Sequence, residues 1–230
     1  MRCLILCGGH GTRSRIYSKK FPKNCILIDR KPFYYYQIKN LKLSGFKKFY
    51  FLSNNITSIF IKKEIDKFFS KSEYEIISEG AKPKGTIYAI KKFLTNYHLK
   101  KNFFVTYGDS LLQIKSDLIQ KAYLSQKNYM FIYKNKNKFD KSNIKINSNR
   151  VAHYQKKNEF EYIDYGLMCF NPLTINKLIK DKINKTLPDL FKKLIESKEF
   201  YFLEVKKRFF EIGSFKGYLD TKNFIQKKWK

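Results

Sequence analysis

The sequence predicts an α/β protein with a mostly parallel central sheet, flanking helices and a small antiparallel extension. Up to residue 128, short apolar runs alternate with helical patterns about every 25 residues, which is typical of parallel strands joined by helices. The first apolar run, residues 3–7, is continuous like a buried strand and stops abruptly at a glycine-rich stretch. From Tyr129 onward, short apolar runs are separated by Asn- and Lys-rich turns, which favours a mixed or antiparallel arrangement.

Apolar periodicity and the positions of Gly, Pro and Asn predict the individual elements. Gly45 is expected to end the first long helix, and Asn54 or Asn55 to cap the second. No internal repeat or linker is visible, so one domain is expected over 1–230. The predicted strands are 3–7, 25–28 (a short extended segment), 48–53, 74–77, 102–107, 129–133, 143–146, 151–155, 162–170 and 201–205, and the predicted helices are 33–44, 56–69, 87–94, 172–179, 187–195 and 215–229.

The composition is strongly basic but not that of a dedicated nucleic-acid-binding protein. The net charge is +29, and hydrophobic residues make up 43% of the chain, enough for a sizeable core. Only six of the 48 basic residues are Arg, and the Lys residues are spread along the whole chain. We therefore expect a general attraction for anionic, phosphorylated substrates and no specific nucleic-acid partner.

The four cysteines, Cys3, Cys7, Cys25 and Cys169, match neither a disulfide framework nor a zinc motif. Cys3, Cys7 and His10 could form part of a metal cluster, but both cysteines lie on a predicted buried strand, where Cys behaves as a small hydrophobic residue. The sequence shows neither a signal-peptide pattern nor an apolar run of the roughly 20 residues needed to span a bilayer. These features predict a cytoplasmic protein without membrane insertion.

Residues 8–13 predict a phosphate-binding loop after the first strand. Gly8, Gly9 and Gly11 allow a tight turn that exposes backbone N–H groups to an anion. Arg13 then offers a guanidinium to phosphate oxygens. The alternative is an ordinary glycine turn after a strand.

Two further positions lie where a ligand could be contacted. Lys23 follows the rigid Pro22 shortly after the glycine-rich stretch, although a solvated surface lysine is the simpler explanation. Gly85 and Thr86 open a predicted helix, where backbone donors meet the positive end of the helix dipole. A plain N-terminal cap by Thr86 explains that pair equally well.

Acidic residues at two strand ends predict a metal site. Asp109 follows Gly108 at the end of an apolar strand, the position where open α/β sheets bind ligands. A carboxylate there suits Mg²⁺ bound to phosphates, although Asp before Ser110 is also good turn chemistry. Glu211 is either a buried partner or a second metal ligand, and Gly166 inside a predicted strand marks a bulge or a close ligand approach.

Taken in order, these motifs resemble the sugar-1-phosphate nucleotidyltransferase family. The resemblance covers nearly the whole chain and, within the family, is nearest to the D-glycero-D-manno-heptose 1-phosphate guanylyltransferase-like branch. The motifs that carry it are GGHGTR at 8–13, Pro22-Lys23, Lys31-Pro32-Phe33, Gly85-Thr86, Gly108-Asp109, YIDYGL at 162–167 and Glu211-Ile-Gly-Ser214.

The resemblance implies a Rossmann-like, GT-A-like nucleotidyltransferase fold in which an NTP and a sugar 1-phosphate give an NDP-sugar and pyrophosphate. It implies a nucleotide-binding half at 1–128 and a sugar-phosphate-binding half at 129–230, with GTP or CTP favoured and a homodimer possible. The implied roles are nucleotide binding by Leu6, Gly8, Gly9, Gly11, Thr12, Gly85, Thr86 and Gly108, catalysis by Arg13 and Lys23, sugar-phosphate binding by Lys157, Asp164 and Gly166, and Mg²⁺ binding by Asp109 and Glu211.

Several positions depart from the family pattern. His10 stands where relatives often carry a small apolar residue or Leu, and Glu211 stands where many carry Asp. Ile87 and Tyr88 replace small residues, and residues 155–157 only approximate the family's sugar-phosphate motif. Two alternatives therefore stay open: a cytidylyltransferase acting on phosphocholine, with Tyr162 and Tyr165 caging the cation, and an inactive basic nucleic-acid-binding module.

Overall fold

The computed structural model describes residues 1–8, 21–80, 84–157, 159–179 and 186–229. Within them, no helix is both long and apolar enough to cross a membrane. The strands are β1 (Arg2–Leu6), β2 (Leu27–Ile28), β3 (Lys31–Pro32), β4 (Lys48–Ser53), β5 (Tyr74–Ser78), β6 (Phe103–Tyr107), β7 (Ser110–Leu111), β8 (Asn128–Lys134), β9 (Ile144–Asn147), β10 (Arg150–Tyr154), β11 (Tyr162–Phe170), β12 (Phe200–Glu204) and β13 (Phe210–Glu211). The helices are α1 (Phe33–Leu43), α2 (Asn55–Glu64), α3 (Thr86–Tyr97), α4 (Ser116–Leu124), α5 (Pro172–Leu178), α6 (Leu187–Glu196) and α7 (Phe215–Trp229).

The chain forms two compact units that interleave along the sequence. Unit 1 comprises Met1–Pro83, Thr106–Gln113 and Phe209–Lys230, and unit 2 comprises Lys84–Val105 and Ile114–Arg208. Strand β6 therefore begins in unit 2 and ends in unit 1. These boundaries do not test the expectation of a single domain with functional halves at 1–128 and 129–230, which stays a prediction.

Unit 1 contains a parallel sheet with the strand order β5-β4-β1. Leu4 of β1 pairs with Tyr50 of β4, and Phe51 of β4 pairs with Ile76 of β5. The central strands are apolar because both of their faces are covered, as expected for a parallel sheet. A second core packs α1, β7 and α7 together through buried side chains, namely Ile26, Ile28, Phe33, Tyr36, Leu111, Ile212 and Ile225.

Unit 2 contains a mixed sheet with the order β11-β8-β12-β10-β9. Strand β11 is antiparallel to β8, whereas β12 is parallel to β8, and β10 is antiparallel to both β12 and β9. The predicted α/β fold class is confirmed, and the arrangement after residue 128 is the mixed one of the two that the sequence allowed.

The sequence signals for helix ends predict some caps and miss others, for physical reasons that the structure shows. The Asn54 side chain caps α2 by accepting a hydrogen bond from Thr57 N at 2.9 Å, and Gly45 follows α1 with a φ of +94°. Thr86 is not the cap of α3, because Gly85 occupies that position with a φ of +104°, which favours glycine. Helix α4 was not predicted, since no side chain caps it at Lys115.

The segment 25–28 is only partly extended. Pro22 precedes a short 3-10 helix, Lys23–Cys25, and Leu27–Ile28 then pairs with Lys31–Pro32 in a two-residue hairpin. The hairpin turn places Asp29 and Arg30 at φ values of +45° and +64°, as a type I′ geometry requires. Long-range packing decides this arrangement, because Asp-Arg is not a strong turn signal by itself.

Candidate active site

Gly108 brings the end of β6 against the end of β1. Its backbone N–H donates to Leu6 O at 3.0 Å. A Cβ at Gly108 would lie 2.7 Å from Leu6 O and 2.9 Å from Cys7 Sγ, closer than real Cβ atoms approach. Gly108 is therefore a close-packing glycine, and it sets Asp109 beside the carboxyl end of β1, where the glycine-rich stretch begins.

Gln37, which the sequence analysis did not single out, holds the turn that carries Asp109. Gln37 lies on α1 with only 1% of its surface exposed. Its Nε2 donates to Tyr107 O at 2.7 Å and to Ser110 O at 2.8 Å, the carbonyl groups on either side of Gly108 and Asp109. The available signal was a polar Gln between the apolar Tyr36 and Ile38 in the predicted helix.

Lys23 points toward the same turn. The 3-10 helix is anchored by the Cys25 N–H, which donates to Pro22 O at 2.8 Å, and Asn24 and Cys25 are buried. Lys23 Nζ lies 2.5 Å from Asp109 Oδ2, and the two side chains are 21% and 28% exposed. Lys23 is thus not a solvated surface lysine but one partner of a specific, partly buried ion pair.

Glu211 reaches this region through the antiparallel pair β7–β13. Glu211 lies opposite Ser110 in the register, and the Ile212 N–H donates to Asp109 O at 3.0 Å. A Cβ at Gly213 would lie 2.5 Å from Glu211 Oε2, 2.9 Å from Lys23 Nζ and 3.5 Å from Asp109 Oδ2. Two carboxylates and one ammonium group therefore surround a single glycine, which leaves room for them.

The carboxylate of Glu211 is held by the segment that leads into α7. Its Oε2 accepts hydrogen bonds from Gly213 N and, at 3.1 Å, from Ser214 N. Its Oε1 accepts one from Ser214 Oγ at 2.6 Å. Glu211 is therefore not buried among apolar groups, and both of its carboxylate oxygens are orientated by this short segment.

The glycine-rich stretch itself is described only at its start. Gly9, His10, Gly11, Thr12 and Arg13 lie outside the described residues. Gly8 lies beside Glu79, which follows β5, and a Cβ at Gly8 would be 3.6 Å from Glu79 Oε1. The sequence analysis did not single out Glu79, and an acid immediately after a parallel strand was the signal for it.

Burial holds the thiols of Cys7 and Cys25 in their neutral form. Burial raises the pKa of Cys7 well above its usual range, and the nearby Cys25 and Asp109 raise it further. Burial, with a smaller contribution from Glu64, raises the pKa of Cys25 to about 12. Because only a thiolate binds metal strongly, this favours the structural interpretation of these residues. No group of three or more His, Cys, Asp or Glu side chains that could hold a metal occurs in the described parts of the chain.

Gly85 and Thr86 lie in unit 2, at the start of α3. Gly85 is the N-cap, and its carbonyl accepts a hydrogen bond from Ala89 N at 3.2 Å. The first helical N–H groups have no intrahelical partner, so this helix start offers donors to a ligand. The geometry is compatible with the predicted nucleotide contact without testing it.

Gly166 lies at an irregularity of β11, as its position within a strand predicts. The register between β11 and β8 shifts between Asp164 and Met168, and Gly166 has a φ of +85°. Asp164 Oδ1 accepts a hydrogen bond from Gly166 N at 2.8 Å, while Asp164 N donates to Asn143 Oδ1 at 2.9 Å. Buried Asn143, which the sequence analysis did not single out, thus anchors this turn.

The structure ties Lys157 to the same neighbourhood through the backbone. Lys157 N donates to Ser142 O at 3.2 Å, next to Asn143, and Lys157 Nζ lies 3.8 Å from Glu159 Oε1. Lys156 instead pairs with Asp140 at 2.9 Å. Lys157, Asp164 and Gly166 are therefore joined through residues 142–143.

The aromatic residues proposed for a choline cage do not form an open one. Tyr165 has 0% of its surface exposed. Tyr162 is partly exposed, but the ammonium of Lys134 lies 5.9 Å from the centre of its ring. A cage for a quaternary ammonium requires accessible ring faces, which Tyr165 does not offer.

Comparison with known proteins agrees with this arrangement. The family model for nucleotidyl transferases matches residues 2–228. The solved structure of HddC from Yersinia pseudotuberculosis superposes with a TM-score of 0.78 and 22% identity, over 97% of this chain and 99% of that one. At this level of identity the superposition shows the shared Rossmann-like α/β fold.

Two curated relatives are similar in sequence. A D-glycero-alpha-D-manno-heptose 1-phosphate guanylyltransferase from Campylobacter jejuni is 32% identical over 145 residues, which is 61% of this chain and 61% of the relative. The bifunctional protein GlmU from Methanococcus vannielii is 26% identical over 99% of this chain and 55% of the relative. The matches thus span less than two thirds of either relative. With its family model covering nearly the whole length, the chain belongs to the nucleotidyl transferase family.

Proposed function

We propose that this chain is a Mg²⁺-dependent sugar-1-phosphate nucleotidyltransferase. The observation that carries the proposal is the convergence of Lys23 Nζ with the carboxylates of Asp109 and Glu211 around Gly213. This cluster adjoins the end of β1, where the glycine-rich stretch begins. An anion cradle beside a lysine and two acids is what phosphoryl chemistry requires, because positioning and charge neutralisation do most of the catalysis.

The residues present fit a magnesium ion. Mg²⁺ takes oxygen ligands and usually binds through one or two carboxylates, substrate phosphates and water. Asp109 and Glu211 supply two carboxylates that reach the same point beside Gly213. When bound, the ion would neutralise charge on the phosphates.

The chain's own residues account for the other requirements of the reaction. The phosphate oxygen of the sugar 1-phosphate attacks the α-phosphorus in line, and the bond to the leaving pyrophosphate breaks. We assign Lys23 to the α-phosphate and the incoming phosphate, and Arg13 to the pyrophosphate. The backbone from Gly8 to Thr12 holds the nucleotide, Gly85 and Thr86 contact its base or ribose, and a nucleophilic side chain is not needed.

We assign the sugar phosphate to the turn formed by Lys157, Asp164 and Gly166. The positive φ of Gly166 and the shifted register of β11 open the strand there, and Lys157 brings a positive charge. The name of the Campylobacter jejuni relative supports GTP and a heptose 1-phosphate as the substrates. We further propose that the product serves nucleotide-sugar and polysaccharide biosynthesis. CTP is the next candidate, and the burial of Tyr165 makes phosphocholine a poorer acceptor than a sugar phosphate.

The experiment is a pyrophosphate-release assay over a matrix of substrates. GTP, CTP, UTP, ATP and dTTP are each paired with heptose 1-phosphate, glucose 1-phosphate and phosphocholine, with and without Mg²⁺. We expect Mg²⁺-dependent release that is fastest with GTP and the heptose phosphate. In parallel, a nucleotide at about 100 times its Kd should stabilise the fold by about 2.7 kcal/mol in a thermal-shift assay. Absence of both pyrophosphate release and nucleotide-dependent stabilisation would overturn the proposal.

Localisation and assembly stay predictions. We expect a cytoplasmic enzyme, because its nucleotide substrates are made there, and we expect either a monomer or a homodimer. Sedimentation at several protein concentrations distinguishes these two states. A salt-dependent affinity for RNA or DNA without turnover would instead support the nucleic-acid-binding alternative.

A further inference from the structure

The chain around the start of α7 contacts the Glu211 carboxylate. Two residues there, Ser214 and Gly217, have no role in the proposed function. Ser214, immediately before α7, donates its hydroxyl to Glu211 Oε1 at 2.6 Å. The same Oγ accepts a hydrogen bond from Gly217 N at 3.0 Å. Because that oxygen already accepts from the backbone of the first turn, the hydroxyl proton is directed at Glu211.

Gly217 provides the space for this contact. A Cβ at Gly217 would overlap Glu211 Oε1 and Cδ, and it would approach Glu211 O to 2.8 Å. Glycine inside a helix normally costs about 0.5–1 kcal/mol relative to alanine. The chain thus carries an unfavourable helix residue at the one face of α7 that contacts the carboxylate.

The backbone of Glu211 is anchored separately from its carboxylate. Thr221 Oγ1 on α7 donates to Glu211 O at 2.8 Å, and Thr221 is fully buried. The side chain of Glu has three rotatable bonds, so anchoring the backbone alone leaves the carboxylate free to rotate. The bonds from Gly213 N, Ser214 N and Ser214 Oγ remove that freedom.

We propose that Ser214 and Gly217 are positioning residues that hold the Glu211 carboxylate toward Lys23 and Asp109 before any metal ion arrives. This inference rests on the proposed function, in which Glu211 is a metal ligand. Groups that orientate a metal ligand typically account for 10–100-fold in metal affinity or activity when removed. Ser214 acts through Glu211 and is therefore expected to affect metal binding more than overall stability.

The test measures Mn²⁺ binding to the full chain without nucleotide, by the electron paramagnetic resonance signal of free Mn²⁺. We expect Ser214→Ala to weaken Mn²⁺ binding by about 10-fold or more, and Ser214→Thr, which keeps the hydroxyl, to restore it. Gly217→Ala should weaken binding similarly by displacing the carboxylate. The matched control is Ser125→Ala, because the Ser125 hydroxyl caps another helix end by donating to Ala122 O. This control should bind Mn²⁺ like the wild type.

The outcomes separate this inference from the proposed function. Wild-type Mn²⁺ affinity in both Ser214→Ala and Gly217→Ala would overturn the positioning role. So would a loss of thermal stability in Ser214→Ala with unchanged Mn²⁺ affinity of the folded protein, or a wild type that binds no Mn²⁺ without nucleotide. If the expected order of Mn²⁺ affinities holds but no substrate pair yields pyrophosphate, the positioning role of Ser214 and Gly217 is supported and the proposed function is overturned.

Discussion

The acids of the two units are held in different ways. In unit 1, Asp109 faces an ammonium from a distant part of the sequence, 2.5 Å away. In unit 2, Asp164 is 8% exposed, and its Oδ1 accepts from the backbone of Gly166, two residues away. A carboxylate whose partner is a partly exposed lysine can exchange that partner for another cation. A charge committed to its own buried turn mainly maintains the shape of the backbone.

We therefore expect the removal of Asp109 and the removal of Asp164 to have different consequences. Loss of Asp109 deprives the site of a charge, whereas loss of Asp164 leaves a buried N–H group without its acceptor. Catalysis and stability measurements on matched variants therefore test the comparison directly.

The largest effect is expected for Asp109→Asn, which keeps the size of the side chain and removes its charge. We expect turnover to fall by more than about 100-fold, because the substitution removes a proposed metal ligand and the partner of Lys23. The measurement is pyrophosphate release at saturating substrates. The control is Asp66→Asn, whose acid accepts a hydrogen bond from Tyr74 at 2.5 Å on an exposed surface. Turnover near the wild-type value in Asp109→Asn would contradict the assignment.

A smaller effect, on stability, is expected for Asp164→Ala. Removing the carboxylate removes the buried hydrogen bond from Gly166 N to Asp164 Oδ1, which costs about 1–3 kcal/mol of unfolding free energy. Asp164→Asn keeps an oxygen acceptor and should cost less than half of that. Urea denaturation of both variants provides the measurement. An equal loss in the two variants would show that the negative charge, rather than the hydrogen bond, holds this turn.

Lys23→Met should separate two consequences of the Lys23–Asp109 ion pair. Without nucleotide, Lys23 competes with a divalent cation for the Asp109 carboxylate, so its removal should tighten Mn²⁺ binding several-fold, equivalent to about 1 kcal/mol. Turnover should nevertheless fall, because Lys23 no longer contacts the phosphates. The control is Lys31→Met, which also removes one positive charge but from a lysine lying 4.6 Å from the Tyr35 ring. Equal tightening in both variants would point to net charge alone.

The buried thiols are expected to have the smallest effect on stability at neutral pH. The two units should behave alike in this respect. Burial raises the pKa of Cys25 in unit 1 to about 12 and raises that of Cys169 in unit 2 beyond the usual range. Below pH 8.5 these thiols are protonated in both the folded and the unfolded chain, so stability is unaffected. Above that pH the unfolded chain loses protons that the folded chain keeps, so stability falls with rising pH.

The expected loss of unfolding free energy is about 1.4 kcal/mol per pH unit for each such thiol, up to the pKa of that thiol in the folded chain. Urea denaturation between pH 8 and 10, compared with the Cys25→Ala variant, measures it. A stability that stays constant or rises over this range would contradict the assigned burial of the thiols.

The local sequence predicted most strands and helices, but it did not predict elements that depend on contacts between distant segments. The continuous apolar run of β1 and the capping Asn54 were recognisable because their signals depend only on neighbouring residues. Helix α4 and the short pair β7–β13 were not, since α4 lacks a capping side chain and the pair exists only when distant segments meet. The alternative in which Thr86 caps α3 was wrong because Gly85 is the cap, with a positive φ that the residue types alone did not reveal.

The sequence by itself determined the α/β class, the family resemblance and the residue types at the candidate site. Only the tertiary structure decided that Lys23, Asp109 and Glu211 lie around Gly213. It also decided that Gln37 holds the turn of Asp109, and that Ser214 and Gly217 contact the Glu211 carboxylate. The physical reason is that chain neighbours govern strands and caps, whereas the contacts around a charged cluster depend on segments that only folding brings together.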